Sequence, residues 1–264
     1  MLSRTRIIIS CTAAAAAAGL AASLAAPALA TAAQAASAVA GPHGQLRFTS
    51  HDHPAGPATA AATSNRTFAG YQATVPAGSA TVVTASFTVP TLACTTTDRA
   101  IAPDVGVPEN NYKTFSAAFV FTGCVGGTAV YYPGLIDNGT ETDYPASPVA
   151  AGDVIDLTTK VSTNRTRVQV TDVTTGVTQK IIGAGAKASA AFAGDDAWGT
   201  SSGQLEHVPD FGKLTFKSCL LDGKVLASWH PHAYQRVNSI GTLQISTGGF
   251  WPGGTAFTTH FQHS

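Results

Sequence analysis

The groups that could do chemistry in this chain are few, and most lack the spacing that chemistry needs. Asp195-Asp196 is a pair of adjacent carboxylates. Successive side chains of an extended strand leave on opposite faces, so the two do not make a ready acid pair. Glu109 falls in a loop expected over Pro108–Asn111. Gly199-Thr200-Ser201-Ser202-Gly203 spells a nucleophile elbow, which needs a strand before it and a helix after it. Its neighbours are Trp198 and a polar run leading to Pro209, so it reads as a flexible loop. His51 and His53, His230 and His232, and His260 to His263 could ligate metal. No cysteine or carboxylate spacing completes a zinc set, and neither a metal nor another cofactor is expected.

The elements that must position any site are strands. Ser116–Cys124 is a short apolar run in which Ala117, Phe119 and Phe121 share one face and Ala118 and Val120 the other. Both faces are apolar, as in a strand buried on two sides. Val83, Ala85 and Phe87 alternate with Thr84, Ser86 and Thr88 in a second strand. Further strands are expected at Phe68–Ala73, Ile101–Val107 and Thr128–Tyr132, the last stopped by Pro133-Gly134, and at Val154–Val161, Thr166–Val173 and Val177–Ile182. Lys213–Leu221 and Lys224–Trp229 form a hairpin across Asp222-Gly223, and Gly241–Thr247 and Thr255–Phe261 close the chain. Ala184–Ala193 stays ambiguous between helix and strand. The pattern gives an antiparallel sandwich or barrel. The aromatic loop Gly248–Gly254 is expected to cap its edge, the alternative being a stacking platform for a sugar.

Arg4 and Arg6, the apolar run after them and Ala28-Leu29-Ala30 have the plan of a secretory signal peptide over residues 1–30. Residues 31–64 are rich in Ala, Pro, Gly and His and read as a disordered linker or pro-segment, and residues 65–264 as one domain. Without Arg4 and Arg6, 13 of the 15 basic residues remain against 15 acidic ones. Such a balance leaves no electrostatic footprint for nucleic acid, and no membrane insertion is expected. Export would oxidise two of Cys94, Cys124 and Cys219. Cys94 and Cys124 each close a strand-like run and are expected to pair, although sequence alone does not separate the three pairings.

Several of these pieces, in this order, resemble the secreted glutamic peptidases, or eqolisins. Thr67-Phe68-Ala69-Gly70-Tyr71 is similar to the family's Asn-Trp-Ala-Gly opening, and Thr84–Pro90 to its S-x-x-F-T-V-P strand. Asp104–Glu109 echoes W-V-G-I-D-G, and Pro209-Asp210-Phe211-Gly212 echoes A-D-F-G before a strand. The resemblance runs from about Thr67 to Phe261 and implies a bent, concanavalin-like all-β sandwich of two antiparallel sheets.

The family's catalytic residues do not carry over. The glutamine of its Gln-Thr-Gly triplet, which positions water and the oxyanion, is matched by Phe121. The glutamate of its Ala-Glu-hydrophobic run, the general acid and base, is matched by Ala191. Its W-Y-E segment has become Tyr131-Tyr132-Pro133. Neither a benzyl nor a methyl group can move a proton. The expectation is therefore a secreted, monomeric, catalytically inactive relative whose concave groove, lined by Phe68, Tyr71, Phe121, Tyr131 and Tyr132, binds a peptide, protein or glycan. The alternatives are an acid endopeptidase working through displaced carboxylates (Glu109, Asp195 or Asp196) and a structural extracellular protein.

Overall fold

The computed structural model describes residues 62–95, 99–147, 149–199, 205 and 207–263. The expected signal peptide, most of the 31–64 segment and the serine-containing loop after Gly199 lie outside the described residues. Pairing starts two residues before the expected domain boundary, with β1 (Thr63–Asn65). β2 (Phe68–Thr74), β3 (Thr81–Thr88), β4 (Arg99–Glu109) and β5 (Thr114–Val125) follow. β6 (Thr128–Asp137) and β7 (Thr140–Asp143) form a hairpin, and β8 (Val154–Ser162), β9 (Arg165–Asp172) and β10 (Thr178–Ala184) a meander. β11 (Ala190–Ala197) precedes β12 (Lys213–Leu221), β13 (Lys224–Val225), β14 (His232–Val237), β15 (Leu243–Thr247) and β16 (Phe257–Phe261).

Among the described residues every pairing between these strands is antiparallel except that of β1 with β14. The strands join in one curled sheet, ordered β10-β9-β8-β3-β12-β16-β15-β14-β2-β11-β4-β5-β6-β7. It doubles over so that β3, β8, β9 and β10 lie against β4, β5, β6 and β11. An aliphatic core that includes Val105, Val107, Val120, Ile155, Leu157 and Val168 fills the space between the layers. Thr159 pins them, its hydroxyl accepting from the Ala118 N–H at 3.1 Å and donating to the Val105 carbonyl at 2.8 Å. This is the all-β antiparallel sandwich that the alternating runs imply.

Local differences have local causes. β6 continues through Pro133 because the proline carbonyl accepts from Tyr144 N–H at 3.0 Å. The ring nitrogen therefore also faces β7, at the end of that pairing, so only the last reciprocal bond is forgone and the pairing with β5 is intact. Pro108 and Glu109 belong to β4, and the turn is Asn110–Lys113. The second arm of the Asp222-Gly223 hairpin is only β13, after which Leu226–Trp229 winds into a 3-10 turn. Asp222 and Gly223 have φ of 51° and 75°, as the tight hairpin turn requires. β14 begins at His232, directly after Pro231, where a proline costs the sheet nothing.

Candidate functional site

β2, β4, β5 and β11 each present one face to the aliphatic core and the other to a second, aromatic cluster. That cluster holds Phe68, Phe115, Phe119, Phe121, Tyr132, Phe192, Trp198 and Tyr234. Glycines on neighbouring strands receive the rings. A Cβ on Gly134 would lie 2.0 Å from the Phe119 ring, and one on Gly106 would lie 2.2 Å from that of Phe192. Phe121 stacks on Tyr132 at 4.6 Å and meets Trp198 edge-on at 5.0 Å. The aromatic face is thus paved by rings lying flat on backbone.

Two carboxyls interrupt the paving. Asp196 on β11 pairs with Ala102 on β4, and Asp104 sits two residues further along β4, opposite Gly194. The β4–β5 register, with Ile101 opposite Thr122 and Asp104 opposite Phe119, places Ala102 beside Phe121. Asp196, Ala102 and Phe121 therefore form one cross-strand row. With strands about 4.8 Å apart, acid and ring stand about 10 Å from each other at the backbone. Asp104 and Asp196 are both 0% exposed and their carboxyls face each other. Burial, then the charge of Asp196 and the contact with its carboxyl, push Asp104 well above the usual carboxylate range. Burial and a facing carboxyl both favour the protonated form of Asp104.

Asp195 leaves β11 on the other face, beside Thr259. Burial raises it to about 7, while the Thr259 hydroxyl and Arg236 pull the other way. Arg236 on β14 is 1% exposed. Burial lowers it to about 10 against the support of Asp196 and Asp195. At the far edge of the aromatic face Glu141 and Asp143 on β7 make a second pair of facing carboxyls, opposite Ile136 and Gly134. Burial and the neighbouring Asp143 lift Glu141 to about 9, and burial lifts Asp143 to about 6. Burial beside both acids also raises the Tyr132 phenol.

Of the residues expected from the sequence, Phe68, Phe121 and Tyr132 lie on the aromatic face. Tyr71 does not: it points into the other core, donates to the Gly248 carbonyl at 3.0 Å and stacks on Phe250 at 4.1 Å. Phe250 thereby caps the sandwich edge, and its neighbour Trp251 is 51% exposed. Tyr131 also packs against the aliphatic core and donates to the Pro90 carbonyl at 3.0 Å. Ala191 is buried in that core, so the position matched to the family glutamate faces away from Phe121. Glu109 lies on the same inner side, accepting from Ser116 Oγ at 2.7 Å and Thr114 Oγ1 at 3.3 Å. Only Asp196 of the three substitute acids shares a face with Phe121. Sequence reasoning passed over Asp104, Arg236, Glu141 and Asp143. The signal for Asp104 was a lone acid inside an apolar strand, on the same alternation as Ala102 and Gly106. Cys94 and Cys124 are bonded, as expected, and Cys219 is free and buried. Among the described residues no group of three or more His, Cys, Asp or Glu could hold a metal ion. No helix among them is long and apolar enough to cross a membrane.

The Peptidase A4 family model matches residues 66–240. Among solved structures, scytalido-glutamic peptidase bound to a transition-state analogue inhibitor is similar at 15% identity and a TM-score of 0.60, over 75% of this chain and 98% of that one. SCP-B, an eqolisin in complex with the tripeptide Ala-Ile-His, matches at 14% identity and a TM-score of 0.60, over 75% and 98% of the two chains. Aspergilloglutamic peptidase from Aspergillus niger matches at 16% identity and a TM-score of 0.52, over 62% and 99%. At these identities the likeness carries the fold. No curated protein matches the chain.

Proposed function

The chain belongs to the peptidase A4 family, and on that premise we propose that it hydrolyses peptide bonds in acid, with Asp104 and Asp196 as its proton-carrying pair. One observation carries the reading: two facing carboxyls, from β4 and β11, on the same face as Phe121 and one alanine away from it. The family resemblance matches the glutamate to Ala191, which faces the inner core, and Asp196 is supported in its stead as the β11 acid on the face of Phe121.

With one proton between the two acids, the carboxylate takes a proton from water as the water oxygen bonds to the peptide carbonyl carbon. The carboxyl gives its proton to nitrogen as the C–N bond breaks. Phe121 cannot donate to the developing oxyanion. Arg236, beside Asp196, is the donor suited to that charge. Loss of the shared proton stops the second transfer, so activity belongs below the pH at which the pair becomes doubly ionised. Export is part of the proposal, supported by the Arg4/Arg6 leader and by the Cys94–Cys124 bridge.

Binding without cleavage is the second reading, favoured by Phe121 itself, a stacked ring with no donor at the triplet position. Incubation of the purified protein with denatured casein between pH 2 and 6 decides between them. Cleavage lost in both Asp104→Asn and Asp196→Asn supports hydrolysis by this pair. Cleavage untouched by either substitution removes the pair from the mechanism, and casein retained but uncut points to the binding reading.

A further inference from the structure

Gln72 sits mid-way along β2, between Phe192 on β11 and His232 on β14, and is 4% exposed. Its Nε2 donates to the Tyr112 hydroxyl over a long 3.4 Å. Its Oε1 is sealed from solvent and meets no hydrogen-bond donor among the described residues. Buried acceptors are nearly always satisfied, so such an atom needs a reason. Packing does not supply one, because a leucine would fill the same place beside the Phe192 ring without an orphaned oxygen.

The partner on the other amide end is held there by an unusual turn. Asn110, Asn111 and Tyr112 have successive φ of 50°, 59° and 63°. Asparagine tolerates that region, but a tyrosine in it carries strain. The turn lays the Tyr112 phenol against Gln72 and near Tyr234, whose phenol is raised by burial first and by Tyr112 second. Strained backbone that aims one side chain at a buried polar group is a pointer to function.

We propose that Gln72 reads the main chain of an extended peptide on the aromatic face, with Tyr112 keeping its place when no peptide is bound. This rests on the reading of a peptide as the ligand. A primary amide offers the same donor and acceptor as a peptide group. A peptide carbonyl replaces the Tyr112 hydroxyl at Nε2, and a peptide N–H is donated to Oε1. Phe192, opposite Gln72 on β11, and Tyr234, opposite Gly70 on β14, belong to the same buried aromatic cluster, so an apolar or aromatic residue is preferred beside the bound peptide group.

The test is calorimetric binding at pH 4 of acetyl-Ala-Ala-Phe-Ala-Phe-Ala-Ala-amide and of analogues N-methylated at one peptide nitrogen at a time. One N-methyl group is expected to weaken binding about ten-fold, the worth of roughly one hydrogen bond to a buried partner. That loss should vanish in Gln72→Leu, and Tyr112→Phe should tighten binding by about three-fold by freeing Nε2. Unaltered binding by Gln72→Leu, a methylation penalty that survives in it, or no binding by the unaltered protein overturns the proposal. If Gln72→Leu proves misfolded by circular dichroism, Tyr112→Phe decides: tighter binding supports the assignment and unchanged binding overturns it. A peptide that binds through Gln72 and is never cut leaves this inference standing and sinks the hydrolysis proposal.

Discussion

Asp104 and Glu109 are two fully buried acids on one strand, five residues apart, and they leave β4 on opposite faces. Glu109 enters the side that faces the second layer, where Ser116 and Thr114 donate hydroxyls to it. These bonds work against the rise that burial imposes. Asp104 enters the aromatic face, where what it meets is another acid. Neutral donors make a buried carboxylate a piece of structure. A second carboxyl makes it a place where a proton is held and can be moved. The same burial therefore yields different chemistry on the two faces, and the partner decides which.

The most severe way to break this contrast is to exchange an oxygen for an amide on each face. Asp104→Asn removes the shared proton, and casein cleavage in acid should fall by about 100-fold or more, the range of a lost acid–base catalyst. Glu109→Gln still accepts from Ser116 and should leave the rate within about two-fold while altering the thermal midpoint. Equal losses in the two variants would erase the distinction drawn between the faces.

The inner side should otherwise answer in stability and not in rate. Removing the Cys94–Cys124 bridge, whose ends are 30 residues apart, should cost about 3–4 kcal/mol from the lost restraint on the unfolded chain. Equilibrium urea unfolding of the Cys94→Ser/Cys124→Ser double variant measures it. Thr159→Val, close in shape, strips the Ala118 N–H and the Val105 carbonyl of their hydroxyl partner. A loss of about 1–3 kcal/mol is expected. A neutral result would mean that the two backbone groups find other partners as the layers settle.

The fold was legible because strand alternation is a short-range signal, written in Val83, Ala85 and Phe87 and again on both faces of Ala117–Phe121. The disulfide matched the expectation from two strand-like runs that each close on a cysteine, although β3 itself ends at Thr88, six residues before Cys94. The carboxyl pair was not legible, because Asp104 and Asp196 are 92 positions apart and only the β4–β11 register brings them together. Ala191 shows the same limit from the other side. A motif match fixes a position along the chain, but a slip of one residue in a strand turns the side chain to the opposite face. Tyr71 and Tyr131 were assigned to the groove by residue type, and their alternation with Phe68 and Tyr132 already placed them on the inner side.

The mildest expected effect concerns the edge of the aromatic face, and it asks whether proton sharing there resembles that at Asp104. Glu141 is lifted to about 9 and its partner Asp143 to about 6. An unfolded glutamate titrates at about 4.3. Between these values the native protein keeps a proton that the unfolded chain has released, so stability is complete below about pH 4 and drains away as pH climbs toward 9. Glu141→Gln has no proton to lose and should flatten that slope, leaving the part due to Asp104, to Asp143 and to Asp195, itself raised to about 7. Urea midpoints at pH 4, 6 and 8 for both proteins read the difference. Parallel slopes would mean that Glu141 is already ionised in the native protein, so that β7 carries two charges side by side and proton sharing is confined to Asp104 and Asp196.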